Sequence, residues 1–182
     1  MKNRKIVNTG LVLLIALLLS CRDESKIIYD TAKLPTGAYV RNLLLPASSV
    51  NISSFDATSF PFKAEIVGAS GSDVTSLDIQ VRYINATGGV VTGKDYVALG
   101  SITSFAVEAN TSSLPRGTVS FVGTDILTAL SMTDPDLVAG YFFEYLLTLH
   151  LKDGRVYSAD NFDPNMSNTF YLAGYDFASE LQ

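Results

Sequence analysis

The chain has 182 residues, with 18 acidic side chains against 13 basic, one histidine, one cysteine and no tryptophan. A net charge of −5 argues against a nucleic-acid partner and against a basic face for lipid headgroups. One histidine and one cysteine are too few ligands for an ordinary zinc site, while 47% apolar residues suffice for one domain with a core.

The chain opens with Lys2, Arg4 and Lys5, then an apolar block from Leu11 to Leu19, then Ser20 and Cys21. This is the basic, apolar and small-residue order of an export signal. The block is shorter than the roughly 20 residues a spanning helix needs. Leu18-Leu19-Ser20-Cys21 resembles a bacterial lipobox. The resemblance implies cleavage before Cys21, a diacylglyceryl thioether on its sulfur and an acylated amine, so the outer-membrane lipid is itself a partner. Three acyl chains at about 0.8 kcal/mol per buried methylene anchor far more firmly than one. A lone cysteine directly after an apolar block fits this better than a free thiol in an exported protein. Arg22-Asp23-Glu24 resembles the acidic surface-export signal of Bacteroidota lipoproteins, which implies the extracellular side. Asp30-Thr31-Ala32 resembles the O-glycosylation sequon of that group and marks Thr31 as its acceptor. The expected organisation is a cleaved signal peptide over 1–20, a lipidated cysteine and flexible tether over 21–35, and a domain over 36–182. Removing the signal takes three basic residues and no acidic one, leaving 10 against 18 and a formal charge of −8.

Beyond the tether, period-two patterning dominates. Strands are predicted at 38–44 and at Phe60–Ile66, where Phe60, Phe62, Ala64 and Ile66 share a face. Pro61 cannot donate to a ladder, so that strand starts there or lies at an edge. Leu77, Ile79, Val81 and Tyr83 alternate with Asp78, Gln80 and Arg82. Further strands are predicted at 96–107, 116–121 and 168–176, with turns at 85–89, 110–115 and 161–168. Gly117, Val119 and Phe121 point inward in one of them. Thr124 to Met132 changes period and predicts a short helix, capped by Thr124 and carrying Ile126, Leu127, Ala129 and Leu130 as its apolar stripe.

The longest strand, Tyr141 to Leu151, has a wholly apolar odd face and an even face of Phe142, Glu144, Leu146, Thr148 and His150. Asp153-Gly154 after it favours a two-residue type I′ hairpin. That register pairs Lys152 with Arg155, Leu151 with Val156, and His150 with Tyr157 on a wet face. Seven to nine short strands predict an all-β fold: an antiparallel immunoglobulin-like β-sandwich with one short connecting helix, or else a closed barrel.

Three segments, PTGAYVR (35–41), LPRGTVS (114–120) and LHLKDGRVYSADN (149–161), resemble small Bacteroidota surface lipoproteins encoded beside SusC/SusD-type outer-membrane pairs. The resemblance implies an immunoglobulin-like domain that associates with an outer-membrane β-barrel complex, and it supplies no catalytic residues.

Reactive constellations are not legible. A Ser–His–Asp arrangement has only His150 to draw on, and lipidation removes Cys21 from any Cys–His pair. No cofactor is expected; Gly68-Ala69-Ser70-Gly71 lacks the Lys-Thr and helix of a phosphate loop. Asp134-Pro135-Asp136 reads as a turn. Asp160, Asn161, Asp163 and Asn165 form an Asx-rich run whose oxygens suit calcium, but they lack the EF-hand order, and a metal-free turn is the commoner outcome. A glycan would find Tyr39, Tyr157, Tyr171 or Tyr175, although half-buried tyrosines in a sandwich core are the commoner outcome. Two functions from different classes follow. One is a non-catalytic accessory subunit of a SusC/SusD-type complex, and the other a glycan- or nutrient-binding surface module, with Tyr157 and His150 facing the ligand.

Overall fold

A computed structural model describes residues 37–109, 112–161 and 174–182. Cys21, Arg22, Asp23, Glu24, Thr31, Asp163, Asn165 and Tyr171 lie outside the described residues. The described residues belong to one compact unit, Gly37–Gln182.

Two sheets face one another. The first has strand order β1-β3-β7-β6, from Tyr39–Leu44, Ser59–Val67, Pro115–Val122 and Ala106–Val107. The second runs β2-β10-β8-β4-β5, from Ser49–Val50, Asp176–Leu181, Phe142–Leu151, Val74–Ile84 and Val97–Ile102, with β9 (Val156–Tyr157) beside β8. Strands β1 to β4 alternate between the two layers; β5 then stays beside β4 at an edge of the second sheet, β6 and β7 lie in the first, and β8 to β10 return to the second. The fold is an all-β immunoglobulin-like sandwich. One pairing departs from an antiparallel sheet: β2 runs parallel to β10, because the first strand of the domain breaks at 45–48 and crosses to the other sheet.

The patterning explains the core. Leu77, Ile79, Val81 and Tyr83 on β4 and Phe143, Tyr145, Leu147, Leu149 and Leu151 on β8 are buried, as are Phe60, Phe62, Ala64 and Ile66 on β3. Gly117 is buried, with Val119 and Phe121 half-buried beside it. Pro61 sits inside β3 rather than at its start, but β1 pairs only as far as Lys63, so at Pro61 the strand has a neighbour on the β7 side alone. Gly117 is dictated by packing: a Cβ there would lie 2.4 Å from Ile102 Cγ2.

Four expectations are corrected. The segment 96–107 is two strands, because after Ile102 the chain leaves the second sheet and Ala106–Val107 pairs with β7 in the first. The last strand is Asp176–Leu181, later than 168–176. Helix α1 spans Gly123–Ala129 with Val122 at its N-cap, where the Asp125 carboxylate accepts the Val122 N–H at 2.9 Å; Thr124 lies inside the helix. Its end is a Schellman motif: Met132 N–H reaches Leu127 O, and Ser131 takes a left-handed φ of 51°.

The fourth correction moves a candidate site residue. Gly154 (φ 88°) closes a three-residue loop over 152–154, with Gly154 N–H on Leu151 O and Leu151 N–H on Arg155 O. This is a type I turn with a glycine bulge rather than a type I′ turn. The register slips by one: Tyr157 opposes Leu149, and His150 opposes Val156. A one-residue slip exchanges faces, so Tyr157 packs against the core and no longer stands beside His150.

Gly123 meets the backbone of Phe55: a Cβ would lie 2.0 Å from Phe55 O. Gly123→Ala should therefore lower the unfolding free energy by about 3 kcal/mol, the upper range for overpacking. A urea midpoint equal to that of the parent chain would contradict this packing.

Candidate functional site

Both outer faces of the sandwich carry polar side chains, but they are organised differently. On the first sheet, Glu65 of β3 is fully buried beneath its cross-strand neighbours Arg41 of β1 and Arg116 of β7. Arg41 Nη1 donates to Oε1 at 2.7 Å, and Arg116 Nε and Nη2 reach Oε2 at 2.9 and 2.8 Å. The Ser112 hydroxyl also donates to Oε2. Arg116 Nη1 continues to Glu108 at 3.1 Å, and Glu108 meets Lys63 at 2.6 Å. Burial pushes the Glu65 carboxyl up, but the hydrogen bonds from Ser112 and Arg116 and the charges of Arg116 and Arg41 outweigh it, and its pKa ends below the ordinary glutamate value. Every oxygen of the Glu65 and Glu108 carboxylates is engaged, so this cluster holds the sheet together. It also explains two quoted segments: PTGAYVR and LPRGTVS contribute the two arginines.

On the second sheet the outer face is open. Asp78 and Gln80 of β4, Thr148 and His150 of β8, and Ala98 and Ser101 of β5 line a cleft of about 510 Å³. His150 Nε2 lies 3.2 Å from Asp78 Oδ2. At the far end of this face Arg82 is bonded to Glu144 and lies 4.4 Å from the centre of the Tyr96 ring. Burial and the neighbouring Glu144 push the Tyr96 hydroxyl up to about 12.

The structure separates the remaining candidates. Tyr175 is buried and Tyr39 half-buried, so neither stands out as a flat platform. Tyr157 is also half-buried, and its hydroxyl accepts from Arg155 Nη1 at 3.2 Å. Asn161 is spent on a turn, its Oδ1 accepting Ser158 N–H and its Nδ2 donating to Val156 O, both at 2.8 Å. Asp160 is exposed beside it, and among the described residues no three His, Cys, Asp or Glu side chains are grouped to hold a metal. Asp134-Pro135-Asp136 is a 3₁₀ turn in which Asp136 accepts Thr133 N–H at 2.7 Å and its hydroxyl at 2.9 Å. Sequence reasoning placed His150 on the wet face but overlooked Asp78, Gln80, Ser101 and Thr148 as its companions. Their alternation was visible; their convergence required the β4–β8 and β4–β5 registers, which set Asp78 opposite both Thr148 and Ser101.

No protein-family model matches this chain, and no curated protein is similar to it in sequence. Among solved structures it is similar to Spo0M, sporulation control protein, from Bacillus subtilis, at 13% identity with a TM-score of 0.43. That likeness covers 80% of this chain and 49% of the other, so the chain spans about half the length of that protein. It brings no site residue with it.

Two outcomes are expected for Glu65. Glu65→Ala leaves two arginines without their buried counter-charge and should cost about 3–5 kcal/mol in denaturant unfolding. Because the folded pKa is depressed, Glu65 contributes stability that is complete above its unfolded value near 4.5 and is lost as pH falls through the folded value. Urea midpoints between pH 6 and pH 3 should fall less steeply in Glu65→Gln than in the parent chain. Parallel curves would contradict the ion-paired carboxylate.

Proposed function

We propose that the protein is a non-catalytic lipoprotein of the outer-membrane surface that acts as an accessory, partner-binding subunit of a SusC/SusD-type transport or assembly complex. The observation that carries this reading is the lipobox-like Leu18-Leu19-Ser20-Cys21, followed at once by Arg22-Asp23-Glu24 and then by a strand-rich domain. In this reading the acyl chains on Cys21 hold the domain at the bilayer, and residues 22–35, at about 3.3–3.6 Å each when extended, give it a reach on the order of 50 Å. A net charge of −8 after cleavage keeps it soluble beside an anionic surface. The Glu65 cluster is consumed by ion pairs, and the other outer face presents an open cleft beside Asp78 and His150, which suits a binding role.

A second reading, a glycan- or nutrient-binding surface module, is favoured by one observation: the open cleft beside Asp78 and His150. Affinity purification from detergent-solubilised membranes tests the first reading. A β-barrel protein should be recovered in stoichiometric amount, and Cys21→Ser should move the chain out of the membrane fraction. Recovery of the protein alone at every detergent tried would contradict the accessory role.

A further inference from the structure

The cleft on the second sheet is built by side chains the core does not need. Its depth comes from β5, which presents only Ala98 and Ser101 on the outer side. The opposite side of β5 is packed tightly, since a Cβ on Gly100 would lie 2.7 Å from Phe121 Cε1. A register shift between Ile79 and Gln80 adds Leu99 to the edge strand and turns its side chain against the core. The low wall therefore follows from how β5 is packed.

The lining has a mixed chemistry. Asp78 offers carboxylate oxygens, Gln80 both a donor and an acceptor, and Ser101 and Thr148 hydroxyls that can do either. Gln80, Ser101 and Thr148 make no side-chain hydrogen bond among the described residues. His150 Nε2 lies 3.2 Å from Asp78 Oδ2, which leaves Nδ1 of the ring for a ligand. No Lys or Arg lines the cleft, and Arg82, two residues along β4 from Gln80, is occupied by Glu144 and Tyr96, so an anionic ligand meets the carboxylate of Asp78. One carboxylate is too few for calcium. An apolar ligand would cover Gln80, Ser101 and Thr148 without giving them a partner. A ligand of adjacent hydroxyls, each both donor and acceptor, satisfies them. The volume lies within the ordinary range for small-molecule sites, about 300–1,000 Å³.

We propose that this cleft binds the hydroxyls of a neutral saccharide through Asp78, Gln80, Thr148 and His150. The inference rests on the second reading above and replaces its tyrosine platform with a hydrogen-bonding trough.

The test is isothermal titration of the full lipoprotein, held in a detergent without a sugar headgroup, against maltohexaose, cellohexaose, mannohexaose and xylohexaose, with oligogalacturonate as a charged comparison. At least one neutral probe should bind, and Asp78→Asn and Gln80→Ala should each weaken it on the order of tenfold. Both positions are solvent-facing, so the melting temperature should hold and separate lost binding from lost folding. Unchanged affinity in both variants would overturn the cleft as the site while leaving the glycan reading intact. Absence of heat with every probe would overturn both, and preference for oligogalacturonate would overturn the neutral class.

Discussion

The alternation of β8 is the constraint on which the rest of the sandwich depends. Over Phe142–Leu151 every odd residue enters the interior and every even one stays at the surface. Inside, Phe143 stands 5.2 Å from Phe55 and 5.1 Å from Tyr83, and Tyr145 stands 5.0 Å from Phe177 and 5.5 Å from Phe62. These rings come from strands of both sheets and from the β2–β3 connection, so β8 is where the two layers are locked together. At roughly 1.5–3 kcal/mol for each buried side chain, sliding β8 by one residue would forfeit the largest share of the core. β4 flanks β8 along its whole length, and β10 and β9 divide the other side between them.

That same constraint made much of the fold legible in the sequence. The buried faces of β3, β4 and β8 follow directly from alternation, because one wet face and one dry face leave only one phase. The hairpin after β8 was harder. Asp153-Gly154 is compatible with a two-residue turn and with a three-residue turn closed by glycine, and the choice between them decides which face Tyr157 occupies. The 96–107 segment misled for a related reason. Its uncharged run continues through Ile102 and Phe105 while the backbone changes sheet, and composition carries no mark of the crossing. Val122 at the N-cap of α1 was hidden because its side chain caps nothing; Asp125 closes the helix end from three residues on.

The candidate site was legible only in part, because it is made by register. Asp78, Ser101 and the Thr148–His150 pair come from three strands far apart in the chain, and each looks like an ordinary solvated position on its strand. The two outer faces show what register can do with similar residue types. On the first sheet it brings Arg41 and Arg116 against Glu65 and closes the face with ion pairs. On the second it brings hydroxyls and an amide beside Asp78 and His150, sets the Arg82–Glu144 pair at the far end, and leaves a cleft between.

In the proposed reading the domain is a tethered module with one closed and one open face, and the tether sets its place at the cell surface. In this account the mature protein begins at Cys21 with acyl chains on both its sulfur and its amine. Mass spectrometry of the N-terminal peptide from membrane-extracted protein measures this directly. The account predicts a chain starting at Cys21 with the added mass of a diacylglyceryl group and an amide-linked acyl chain; an unmodified thiol, or a chain that still carries residues 1–20, would contradict it.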